Sequence, residues 1–155
     1  MISPTAQVDR SATRPRTAGQ PVNQHYEMLL RSLERTGFDA ESPKVVGLVS
    51  CESGAGVSTV ASNLAIEAAQ GGAEHVLLVD ANLAHPKIHR LFSVPASPGL
   101  IQAVSGDLPI EECLHGTPDD LLHVLPTGKS RRDVSTSIRT PQIRELLDTL
   151  REEFD

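Results

Sequence analysis

Gly54, Gly56, Ser58 and Thr59 lie close together in "VSCESGAGVSTVASNLA" (Val49–Ala65). This spacing suits the binding of a phosphate. Glycines let the backbone turn so that successive N–H groups face one anion, and a following helix adds its positive end. Gly54, Ala55, Gly56, Val57, Ser58 and Thr59 would form the cradle, with Ser58 placed to ligate Mg²⁺. The first glycine of the common G-x-x-x-x-G-K-[ST] loop is Cys51 here, and its lysine is Val57. Loss of one charged hydrogen bond costs about 1.5–3 kcal/mol. Affinity then falls by roughly one to two powers of ten. Transfer chemistry suffers more, because charge builds on the phosphoryl oxygens during reaction. The alternative is a turn kept for the fold alone.

The elements that must position this loop are legible around it. "KVVGLVS" (44–50) is a continuous apolar, β-branched run and predicts a strand buried on both faces. Ser58 to about Gln70 predicts a helix with Val60, Ala61, Leu64, Ala65 and Ala68 inward, stopped by Gly71-Gly72. "HVLLVDAN" predicts a second strand ending at Asp80, and "LLHVLPTG" a third. Short helices are expected near 86–92, 99–106 and 109–115. "TPQIRELLDTLREEF" predicts a strong helix with Pro141 at its first position and Ile143, Leu146, Leu147 and Leu150 on one face. "NQHYEMLLRSLERTGF" (23–38) predicts an earlier helix closed by Gly37, and residues 1–22 read as a disordered leader. Strands alternating with helices imply an α/β fold with a parallel sheet.

Composition narrows the function classes. Hydrophobic residues make up 39% of the 155-residue chain and aromatics 3%, so the core must come from Leu, Val, Ile and Ala. The net charge of −6 argues against a nucleic-acid partner. Cys51 and Cys113 lack metal-like spacing, and a cytoplasmic setting is expected. Cys51 is expected to be buried and inert. His85 and His89 could pair on one helical face, but a metal site there is disfavoured. "GKSRRD" (128–133) lacks the glycine and helix of a phosphate loop and reads as a solvated loop.

Two stretches carry a family resemblance. "STVASNLAIEAAQGG" and "LLVDANLAHPKIHRLF" resemble the bacterial P-loop tyrosine kinases of exopolysaccharide and capsule synthesis (the CpsD/CapB type), within the MinD/ParA-like ATPases. "GLIQAVSGDLPIEECL", "LHVLPTG" and the last helix extend the likeness, which covers about 23–155. It implies a P-loop NTPase-like sheet flanked by helices. It also implies ATP or ADP with Mg as cofactor, and Asp80 as a metal-side and catalytic acid.

The departures fall on the chemistry. Beside Val57, the second acid of the family's D-x-D pair is Asn82, and the arginine after it is Ala84. Near Tyr26, Glu27 and Leu30 stand where the family's E-x-x-R-x-x-R places arginines, with Arg31 one place off. The resemblance also implies a chain cut on its C-terminal side, before the Walker B strand and the tyrosine-rich tail. The resulting expectation is a catalytically degraded relative, a pseudokinase binding nucleotide weakly or not at all. Its partner would be a membrane-bound chain-length regulator or an intact kinase subunit, with peripheral placement at the inner membrane through that partner. Self-association through an open sheet edge is a further expectation. The alternatives are an active kinase or ATPase completed by a partner or by another lysine of the chain, and a nonfunctional gene fragment.

Overall fold

The computed structural model describes residues 20–35, 45–73, 75–129 and 140–155. The elements in chain order are α1 (Gln20–Glu34), α2 (Val57–Gln70), β1 (Val76–Val79), α3 (Ile88–Leu91), α4 (Leu100–Ser105), α5 (Ile110–Cys113), β2 (His115–Gly116), β3 (Leu122–Leu125) and α6 (Thr140–Arg151). The sheet order is β1-β3-β2. β1 and β3 run parallel, with Val76 opposite Leu122 and Val79 opposite Leu125. The short β2 is antiparallel to β3, so the sheet is mixed where a parallel one was expected.

Period-two alternation sorts the strand side chains onto two faces. Leu78, Leu122 and Val124 join Ala65 and Ala69 of α2 and Ile88 and Phe92 in one cluster. Leu77, Val79 and Leu125 join Cys113, Leu114, Leu146 and Leu150 in the other. The sheet is thus sandwiched between α2 and α6, in the flanked arrangement the sequence predicts. α2 begins at Val57, within one residue of expectation, and the Gly71 N–H closes it on the Glu67 and Ala68 carbonyls.

Two expectations need correction. The described part of the expected first strand is not a strand: residues 45–50 carry no ladder, and Val49 is 93% exposed. β-branched propensity needs a neighbouring backbone to become a strand. A cleft separates this run from β1, so that neighbour is out of reach. The expected leader is also too long, because α1 already begins at Gln20. Gly37, the expected stop of α1, lies outside the described residues, as do residues 1–19 and 130–133 of the basic loop. α1 lies against α2, where Asn63 Nδ2 donates to the Tyr26 hydroxyl at 3.4 Å.

Gly99 shows why a small residue is required at the start of α4. A Cβ there would collide with the Pro126 carbonyl. That close approach lets Leu100 N–H donate to Pro126 O (2.8 Å) and Ile101 N–H to Thr127 O (3.0 Å). The start of α4 is thereby tied to the segment that follows β3.

His123 of β3 packs edge-on against Phe154, with ring centroids 5.9 Å apart, and its Nδ1 is buried without a partner. Burial, with His75 nearby as a second cause, holds its pKa below the usual 6.5. The unfolded chain therefore binds this proton first, so the contribution is full above pH 6.5 and is lost as pH falls through it. Thermal unfolding from about pH 7.5 down to about pH 5.5 should show a steeper loss of Tm in the native chain than in His123→Gln. Equal slopes would contradict this assignment.

Candidate functional site

The loop Cys51–Gly56 leads straight into α2, as a phosphate cradle requires. Gly54 (φ 84°) and Gly56 (φ 86°) both occupy the left-handed region that favours glycine. Nothing lies within 4 Å of where their Cβ atoms would stand. A phosphate group therefore has open access to the backbone at these two positions. Val60 N–H donates to Gly56 O at 2.9 Å, so the helical ladder starts at the loop's last residue. The N–H groups just inside α2 precede that ladder and remain available to an anion. Gly56, Val57 and Ser58 are half-buried, while Gly54, Ala55 and Thr59 are exposed.

Asp80 follows β1 and is buried, with 3% of its surface exposed. Its Oδ1 accepts from Asn82 N–H (3.2 Å), and its Oδ2 accepts from Lys87 N–H (2.9 Å) and Ile88 N–H (3.0 Å). Three amides thus compensate the buried carboxylate. Thr127 Oγ1 donates to the Asp80 carbonyl at 2.7 Å and holds the strand end from the β3 side. Asn82 is also engaged: its Oδ1 accepts from His85 N–H at 3.0 Å and stabilises the turn before α3. The side chain that stands where the resemblance expects a second acid is therefore a turn brace.

One open cleft of about 820 Å³ joins these parts. The loop residues Gly54–Thr59, Asp80, Asn82, His85 and Lys87 all line it. The structure therefore brings every sequence-predicted site residue to a single cavity. It also adds Lys87, which the sequence reading did not single out. Lys87 sits outside the loop motif, seven residues after Asp80, and only the turn braced by Asp80 and Asn82 carries it to the cleft.

A nucleotide phosphate fits the open backbone at Gly54 and Gly56. A magnesium ion would find the Ser58 hydroxyl and the second lone pair of Asp80 Oδ1, which takes one hydrogen bond of the two an oxygen can accept. Among the described residues no cluster of three His, Cys, Asp or Glu could hold a metal, so His85 and His89 gain no third ligand. Cys51 is exposed and free, against the expectation of burial.

No family model matches this chain. It is 32% identical over 126 residues to a putative tyrosine-protein kinase, EpsB, of Ralstonia nicotianae, covering 81% of this chain and 17% of EpsB. Among solved structures it superposes on the chimerical protein CapA2B2 with a TM-score of 0.77 at 26% identity, covering 90% of this chain and 60% of that one. This chain belongs to the bacterial P-loop tyrosine kinase family. The Escherichia coli tyrosine kinase ETK kinase domain shares the fold at a TM-score of 0.81 and 20% identity, over 97% of this chain and 61% of that one. The chain spans about a sixth of EpsB's length, so that kinase's whole activity is not carried over with the fold. Among the described residues no helix is long and apolar enough to cross a membrane.

The hydrogen bonds around Asp80 give this bacterial tyrosine-kinase-family fold a stability test that needs no ligand. Asp80→Ala strands three amides in a buried setting and should cost about 1–3 kcal/mol in urea unfolding. A loss within about 0.5 kcal/mol would show that these amides find other partners.

Proposed function

We propose that this chain binds a nucleoside polyphosphate weakly and acts through protein contacts, as a catalytically degraded tyrosine kinase relative in exopolysaccharide or capsule synthesis. One observation carries this reading. The loop keeps the left-handed glycines and the helix start, while Val57 removes the ammonium and the Asn82 side chain is spent on a turn. Shape therefore favours an anion, but the groups that would drive transfer are gone.

In this reading Gly54, Ala55, Gly56, Val57, Ser58 and Thr59 form the cradle through their backbone. Ser58 and Asp80 stand at the magnesium side. ATP or ADP with Mg is the ligand class. Asp80 is the remaining acid, and three backbone amides hold its carboxyl oxygens in place. The partner assigned to it is a membrane-bound polysaccharide chain-length regulator or an intact kinase subunit, reached from the cytoplasmic side.

A specific observation favours a second reading, an active ATP-dependent enzyme that replaces the loop lysine from elsewhere. Lys87 lines the same cleft as the loop, and its backbone, not its side chain, is what Asp80 holds. Its ammonium is thus free to offset phosphate charge.

Titration calorimetry with MgATP separates the two. Under the first reading the native chain binds weakly without turnover, and Val57→Lys tightens binding by roughly ten- to a hundredfold. Under the second, the native chain binds and turns over, and Lys87→Met abolishes both while leaving the Asp80 bonds intact. Binding by neither the native chain nor Val57→Lys would overturn both readings.

A further inference from the structure

The two oxygens of Asp80 are not equally open to a ligand. Oδ2 accepts from Lys87 N–H at 2.9 Å and Ile88 N–H at 3.0 Å. It thus takes both hydrogen bonds that an oxygen accepts, and only Oδ1 keeps a lone pair. The single bond to Oδ1 comes from Asn82 N–H, at 3.2 Å. Residue 82 is therefore attached to the one carboxylate oxygen that a cation could use. Its side chain lines the same cleft as the phosphate loop and Lys87. The charge carried at 82 is felt by whatever enters there.

That side chain is a neutral amide. Asn82 Oδ1 accepts from His85 N–H at 3.0 Å and holds the turn. An aspartate oxygen would accept the same N–H, so the brace does not require asparagine. What asparagine changes is the charge: the turn is held and no second carboxylate enters the cleft. A carboxylate at 82 would act in two ways. It would attract a divalent cation, and it would repel the oxygens of a polyphosphate that arrives without one. The amide removes both effects. Lys87 stands on the other side of the same carboxylate, and Arg151, also in the cleft, already faces Asp148 Oδ1 at 3.4 Å.

We propose that Asn82 is a specificity-determining residue of this cleft, which shifts its preference from the magnesium-bound toward the metal-free nucleoside polyphosphate. The inference rests on the nucleotide binding proposed above and concerns which form of that ligand is taken. Groups outside the described residues act alike on either side chain at 82. The shift is therefore read as a ratio of two affinities, in which their contributions cancel.

Titration calorimetry with ADP, once in EDTA and once in excess magnesium, gives that ratio for the native chain, Asn82→Asp and Asn82→Ala. Asn82→Asp should weaken metal-free binding by about tenfold, with MgADP binding unchanged or tighter. Asn82→Ala is also neutral but cannot hold the His85 N–H. Its ratio should stay within about threefold of the native one, even where both affinities fall. A role confined to bracing the turn predicts the reverse, with Asn82→Ala impaired and Asn82→Asp native-like, and that result overturns the proposal. So does a ratio that moves equally in both variants. A native chain that binds ADP in neither buffer overturns the nucleotide-binding reading and this inference with it. A native chain that binds, with the same ratio in Asn82→Asp, overturns this inference alone. Coincident urea unfolding curves for the native chain and Asn82→Asp separate an altered charge from a lost fold.

Discussion

A carboxylate buried at the end of a strand has to be compensated on the spot, and Asp80 organises the site through that constraint. Its exposure is 3%, and three backbone amides converge on it. Those amides belong to Asn82, Lys87 and Ile88, so the turn after β1 and the start of α3 are folded around the charge. Ile88, pinned in this way, enters the core cluster with Leu78, Leu122 and Val124. Thr127 grips the Asp80 carbonyl, and Gly99 admits the α4 start that fixes the end of β3. Core packing and site geometry are therefore one structure.

The same constraint explains where positive charge can come from. A phosphate loop gains most of its selectivity from backbone amides and its strength from a cation. Val57 leaves the amides and removes the cation. The turn that compensates Asp80 brings Lys87 to the same cleft, at a position unrelated to the loop motif. Asn82 shows the opposite outcome, since its side chain is absorbed by the turn it stands in. Two substitutions that look alike as departures from the kinase family thus have different physical consequences.

Much of the fold was legible because it rests on local periodicity. The β1 and β3 runs, α2 with its Gly71-Gly72 stop, and the stripe of Leu146, Leu147 and Leu150 on α6 all follow from spacing. The run 45–50 was misread because its composition predicts a strand, and composition is silent on whether a partner backbone lies within hydrogen-bond reach. β2 was missed because two residues carry no period. In the candidate site the glycines could be named from motif spacing, and Asp80 from the family resemblance. Lys87 could not, because its arrival depends on a turn held by side chain to backbone bonds. The one available signal was an Asp-x-Asn turn ahead of a short helix.

The account stands or falls on whether the loop amides still receive a phosphate. Amide chemical shifts during titration with MgADP, to about millimolar concentration, read that directly. The account predicts shifts concentrated at Gly54, Ala55, Gly56, Val57, Ser58 and Thr59, with smaller ones near Asp80 and Lys87. Unmoved loop amides, or shifts gathered on a different face of the sheet, would contradict it.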